Sequence, residues 1–165
     1  MLERSYQHLS RCSGFYLWLL VAFIALGRHF IVTLNVSASL PGSVFLIQKG
    51  VKPEKGNLAA FRYAGGGPYM PGVLFLKRLV GEAGSLVSAH AGLGGYREYF
   101  VDGHSVGYAK PFSRDGMPLP PGPVGVITAG HYYMAAPHPA SLDSRYAWVG
   151  WVSDAQIVGR AWTVF

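Results

Sequence analysis

The sequence predicts a mainly β fold, an antiparallel and strongly curved sheet domain carried on one N-terminal transmembrane helix. Three observations lead there. An uncharged apolar stretch lies near the amino terminus. After it come short runs rich in β-branched and aromatic residues, punctuated by the 22 glycines and 11 prolines of a 165-residue chain. No long 3.6-residue apolar pattern interrupts those runs. Strands without intervening helices pair antiparallel, and a two-sheet sandwich suits many short strands in one small domain.

The first element is the apolar stretch. Ser13 to Gly27 carries no charge, Arg28-His29 interrupt, and Phe30-Ile31-Val32-Thr33-Leu34 resume. As a helix, residues 14–34 would span about 30 Å, a hydrocarbon core. Arg28 lies near the far end and reaches the headgroups by snorkelling. Arg4 and Arg11 outweigh Glu3 in the leader, so the positive-inside rule makes residues 1–13 a cytoplasmic leader and puts 35–165 beyond the membrane. The alternative is a cleaved signal peptide ending near Val36-Ser37-Ala38. Cys12 falls at the inner boundary and reads as an interfacial thiol.

Strands are expected at 43–48, 58–63, 73–80, 85–89, 96–101, 105–109, 124–128, 131–136, 147–152 and 156–164. Asp102-Gly103 is a hairpin signal. Gly65-Gly66-Gly67-Pro68 and the proline-rich stretch 110–123 read as loops, and Gly92-Leu93-Gly94-Gly95 as a turn.

Composition excludes several classes. Half of the residues are hydrophobic and 13% are charged, which excludes disorder. One cysteine excludes an intrachain disulfide framework and a cysteine-based zinc cluster. The six histidines are scattered, so no metal or other cofactor is expected. A net charge of +6 comes from dispersed Lys and Arg; it suits an anionic lipid surface, and no nucleic-acid partner is expected. H-E-x-x-H, G-x-S-x-G, S-x-x-K and P-loop patterns are absent.

No carboxylate pair stands out as an acid–base couple, so a hydrolase here needs another proton carrier. Lysine serves if burial lowers its pKa. Lys77 and Arg78 are adjacent in the most apolar run, Val73–Val80. Neighbours on a strand face opposite sides, so one of the two points inward or into a cleft; an edge strand with a snorkelling lysine is the plain alternative. Ser37-Ala38-Ser39-Leu40-Pro41-Gly42 offers a nucleophile and a neighbouring hydroxyl, with Pro41 keeping Leu40 out of helix. A plain linker is the other reading of that segment.

Together these segments resemble the type I signal peptidases, membrane-anchored Ser/Lys proteases. Four blocks agree in order over essentially the whole chain: Ser37-Ala38-Ser39-Leu40-Pro41, Lys77-Arg78-Leu79-Val80-Gly81-Glu82-Ala83-Gly84, Gly130-His131-Tyr132-Tyr133-Met134 leading to Ser141-Leu142-Asp143-Ser144-Arg145-Tyr146, and Ile157-Val158-Gly159-Arg160-Ala161. The family's G-D-N-R is replaced by Ala136-Pro137-His138-Pro139, and its Pro-Gly-Asp by Ala83-Gly84-Ser85. Small size and Tyr69-Met70-Pro71-Gly72-Val73 are similar to the conjugative-transfer peptidases of the TraF type, which mature pilin precursors and in some members join the pilin ends into a ring.

The resemblance implies Ser39 as nucleophile and Lys77 as general base. It implies an oxyanion site of the Ser39 N–H and the Ser37 hydroxyl, and Ser141 orienting the lysine. It also implies an Asp143–Arg145 ion pair beside the site, with Arg78 as scaffold or lipid-facing. Ser39 would lie within roughly 20 Å of the membrane surface, level with a scissile bond that follows a substrate's own membrane helix. Tyr69, Met70 and Trp148 would dip into the interface. The expectation is a monomeric, single-pass bacterial inner-membrane peptidase with a periplasmic domain and a membrane-bound precursor as partner. A general signal-peptidase-like hydrolase, a cytosolic self-cleaving repressor-type peptidase and a non-enzymatic pilus assembly module are the rivals; the anchor argues against the cytosolic one.

Overall fold

The computed structural model describes residues 10–35, 37 and 39–165. Most of the expected leader and the pair Val36 and Ala38 lie outside the described residues.

Helix α1, Ser13–His29, has no buried residue. Arg28 and His29 occupy its last turn, where cations complement the carbonyl end of the helix dipole. The expected helix over 14–34 is therefore cut short: Phe30 is already extended, and Phe30–Leu34 forms strand β1. The reason is local preference joined to an available partner. Ile31, Val32 and Thr33 are β-branched, and β2 (Val44–Lys49) offers a full ladder from Phe30↔Gln48 to Leu34↔Val44. Ile31 also packs against the buried cluster of Ile47, Ala60 and Ala161. Lys49 Nζ donates to Gly27 O at 2.7 Å, satisfying one of the helix's last carbonyls. At about 25 Å, no helix among the described residues is long and apolar enough to cross a membrane.

Nine further strands follow: β3 (Leu58–Arg62), β4 (Leu74–Gly81), β5 (Leu86–Ala91), β6 (Arg97–Val101), β7 (His104–Ala109), β8 (Gly125–Val126), β9 (His131–Ala135), β10 (Val152–Ser153) and β11 (Ile157–Thr163). They build two antiparallel sheets, β1-β2-β11-β3-β4-β9-β10 and β7-β6-β5-β8. Strand β9 shows why they stack. Its Tyr133 and Ala135 join Val87, Tyr99, Val101 and Ala109 of the smaller sheet in one core. Its alternate residues, Tyr132 and Met134, join Ala59, Phe61 and Leu79 in a second core. A strand with cores on both faces reads as a continuous apolar run, as His131–Ala135 does.

Turn chemistry sets the register at two points. Asp102 and Gly103 both take positive φ, 50° and 78°, the two-residue turn that matches strand twist in the β6–β7 hairpin. In the Gly81–Gly84 block the two glycines act differently. A Cβ on Gly81 would press on Ile127, Val101 and Tyr133, whereas Gly84 has open space but φ of +90°. The strand expected at 147–152 is not formed before Val152. Val149 and Gly150 both donate to Tyr146 O, and Gly150 takes φ of +58°, so the segment turns back on itself.

Candidate active site

The Ser37–Leu40 segment belongs to the loop between β1 and β2. Its base is closed by Asn35 N donating to Ser43 O at 2.8 Å. Leu40 is the loop's apolar anchor, buried with Phe45 and Ala136 against Leu58 and Leu76. Ser37 Oγ and Ser39 Oγ are 3.2 Å apart and hydrogen bonded.

Lys77 lies in β4, opposite Ala59 of β3. It is 5% exposed, while Arg78 on the other face is exposed and donates through Nη1 to Gly56 O. The sequence requirement that one of the pair turn inward is thus met by the lysine. Two features make room for it. Ala59 is small, and β9 pairs with β4 only from Arg78 onward, leaving the edge of Leu74–Lys77 open on that side. Desolvation lowers the Lys77 pKa from 10.5 to about 8, with Asp143 acting in the opposite direction and Arg145 adding to the fall. Its Nζ stands 5.6 Å from the centroid of the Phe75 ring.

Along that open edge lies a cavity of about 520 Å³ whose walls include Ser37, Ser39, Phe75, Lys77, His138 and Leu142. Ser39 and Lys77 thus share one cavity. No hydrogen bond joins them: Ser39 Oγ is bonded to Ser37 Oγ, and Lys77 Nζ lies near Phe75. A second cavity of about 550 Å³, with His90, Tyr96, Glu98, Tyr108 and Lys110 in its walls, holds none of the expected site residues.

Ser141, Asp143 and Arg145 are 2%, 0% and 1% exposed. Ser141 Oγ is buried without a hydrogen-bond partner. Arg145 grips Asp143 with Nε to Oδ1 at 2.8 Å and Nη2 to Oδ2 at 2.7 Å. Asp143 also accepts from the N–H groups of Ala136 and Arg145, and Arg145 donates to the carbonyls of Tyr108, Ala136 and His138. The pair therefore ties β7, the end of β9 and the 138–143 loop together below the cavity. Gly107 is part of this design, since a Cβ there would meet Arg145 Nη1 at 2.9 Å.

No group of three or more His, Cys, Asp or Glu able to hold a metal occurs among the described residues. Sequence reasoning passed over Asn35, Phe75 and His138. Asn35 had a signal: a lone asparagine ending an apolar run, just before the Ser-x-Ser-Leu-Pro block, is a loop-holding residue type. Phe75 and His138 had none, because only pairing of β3, β4 and β9 brings them to the same hollow.

Two stacked antiparallel sheets thus present a serine-bearing loop and a buried lysine to one cavity. The family model for signal peptidase, peptidase S26, matches residues 11–165, and the chain belongs to that family of serine peptidases. No curated protein matches it.

Proposed function

We propose that the protein is a membrane-anchored endopeptidase that cleaves a membrane-bound precursor, a conjugative pilin, with Ser39 as nucleophile and Lys77 as base. The observation that carries the proposal is that Ser39 and Lys77, the one deeply buried lysine among the described residues, line the same cavity. A neutral Lys77 takes the Ser39 proton as Oγ attacks the scissile carbonyl. The tetrahedral oxyanion accepts hydrogen bonds from the Ser39 N–H and the Ser37 hydroxyl. Lys77 then returns the proton to the leaving amine, the C–N bond breaks, and an acyl group remains on Ser39. Substrate entry draws the two side chains into hydrogen-bond reach, as free enzymes commonly hold catalytic contacts loosely.

The anchor in this proposal is the apolar N-terminal segment. Phe15, Leu17, Trp18, Leu20, Phe23 and Ile24 of α1 are all exposed, a surface suited to lipid rather than water. In this proposal α1, with the residues that precede it, holds the chain at the bacterial inner membrane, and the sheets lie on the periplasmic side.

The acyl-enzyme has two fates, water or an amine. An amine held in line reaches an effective molarity of about 10⁵ M or more and outcompetes water. We assign the amine, the pilin's own other end, because the chain keeps the Ser and Lys blocks of a small pilin-maturation peptidase while lacking the G-D-N-R block. The test is intact-mass analysis of a pilin precursor incubated with the protein in lipid vesicles. A product one water lighter than the linear mature chain, with no free amino terminus, establishes cyclisation. A linear product leaves a signal-peptidase-like hydrolase, and an uncleaved precursor leaves an assembly module.

A further inference from the structure

We propose that Asn35 is the positioning residue of the nucleophile loop: its carboxamide clamps both limbs of residues 36–42 and holds Ser37 and Ser39 at the cavity lined by Lys77. This rests on the reading of Ser39 as nucleophile.

Asn35 is the last residue before the loop, and its side chain reaches across it. Nδ2 donates to Leu40 O and to Gly42 O, both at 2.9 Å. Oδ1 accepts from Ser37 N at 3.1 Å and from Ser37 Oγ at 3.4 Å. A carboxamide has two donor hydrogens and one acceptor oxygen, and all are engaged. The partners also fix its orientation, because two carbonyls require the nitrogen and a backbone N–H requires the oxygen. One side chain thus holds the entering limb at Ser37 and the leaving limb at Leu40 and Gly42, with Ser39 between them.

Among the described residues, no other side chain braces the two limbs of the loop in this way. Apart from the Ser37–Ser39 contact, Leu40 supplies its apolar anchor, and the base is closed by Asn35 N to Ser43 O and by Ser43 N to Phe165 O. Gly42 completes the fit: its φ is +105°, and a Cβ would collide with Thr163. The bond from Oδ1 to Ser37 Oγ adds a chemical role. It offers that hydroxyl a second acceptor, so the Ser37 O–H is held near the position from which it swings to a developing oxyanion. A displacement of about 1 Å in such a constellation costs about a hundredfold in rate.

Asn35→Asp isolates the clamp. The variant is nearly isosteric and keeps an acceptor for Ser37, but sets carboxylate oxygens against the Leu40 and Gly42 carbonyls. The experiment follows Ser39 acylation by a fluorophosphonate probe by intact mass, on the full chain in detergent. Wild type, Asn35→Asp, Asn35→Ala and Ser39→Ala are compared, with amide hydrogen exchange measured over residues 36–43. The expected result is a maximal labelling rate lower by on the order of a hundredfold in both Asn35 variants. The half-saturating probe concentration should stay within about twofold, and loop amides should exchange faster. Asn35→Asp labelling at the wild-type rate, or unchanged loop exchange, overturns the clamp. Labelling that persists in Ser39→Ala, or is absent from the wild type, instead overturns the reading of Ser39. The exchange measurement then still decides the clamp on its own.

Discussion

Arg145 and Asp143 face each other across two parallel hydrogen bonds, 2.8 and 2.7 Å long, with neither side chain in contact with solvent. Two residues apart in sequence, they act as a knot among three chain segments, because the guanidinium also reaches the carbonyls of Tyr108, Ala136 and His138. Breaking one side leaves a buried charge alone. Asp143→Asn and Arg145→Met should each lower unfolding free energy by about 3–5 kcal/mol. The double substitution Asp143→Asn with Arg145→Met should cost less than their sum. Arg145→Lys should not rescue, since an ammonium cannot span five acceptors arranged for a planar fork. Chemical denaturation of the four variants checks this; additive losses would show that the two residues act independently.

Catalysis provides the second expectation. Ser39→Ala and Lys77→Ala should each reduce precursor cleavage to background while the fold, followed by circular dichroism, is retained. Lys77→Arg should fail as well, because guanidinium does not lose its proton at usable pH. Ser37→Ala should be milder, a loss of about 10²–10³ in turnover, the usual effect of deleting one oxyanion donor. Near-normal cleavage by Lys77→Ala would remove it as the base.

The pH profile follows from burial of the same lysine. The base must be neutral, and desolvation sets its pKa at about 8 rather than 10.5. Cleavage should rise about tenfold per pH unit below that value and level off above it. A rate constant that is flat from pH 6 to about 9 would contradict the assignment.

Stability and activity should oppose each other at Lys77. Below about pH 8 the side chain is charged in both folded and unfolded states, and the folded state bears the cost of burying that charge. Between about 8 and 10.5 the folded form is neutral while the unfolded form still binds a proton, so stability rises across that window. The cost at neutral pH is about 3 kcal/mol for a shift of this size. Lys77→Met should therefore stabilise the protein by about 2 kcal/mol at pH 7, raising Tm by roughly 5 °C, while abolishing cleavage. Melting curves at pH 7 and pH 10 are the check, and the gain should shrink at the higher pH.

The amino-acid sequence specifies the β class, most strand positions and the hairpin at Asp102-Gly103, because these depend on near neighbours: β-branched runs, glycine-permitted φ and turn residues. It also determined that Lys77 and Arg78 face opposite ways, since alternation is a property of any strand. Which of them turns inward was decided by the tertiary structure, through the small Ala59 opposite Lys77 and the late start of pairing with β9. The same held for Phe30–Leu34. Its apolar residues extend a helical run equally well, and only the free edge of β2, the next strand along the chain, drew them into a strand. Residues 147–152 carried a strand-like composition, yet hydrogen bonds to Tyr146 and a left-handed Gly150 turned them. The cavity was the least legible part. Its walls come from the β1–β2 loop, β4 and the 138–142 segment, and no local pattern states that three such distant stretches meet. Their meeting depends on long-range strand pairing, whose free energy is a sum over the whole core.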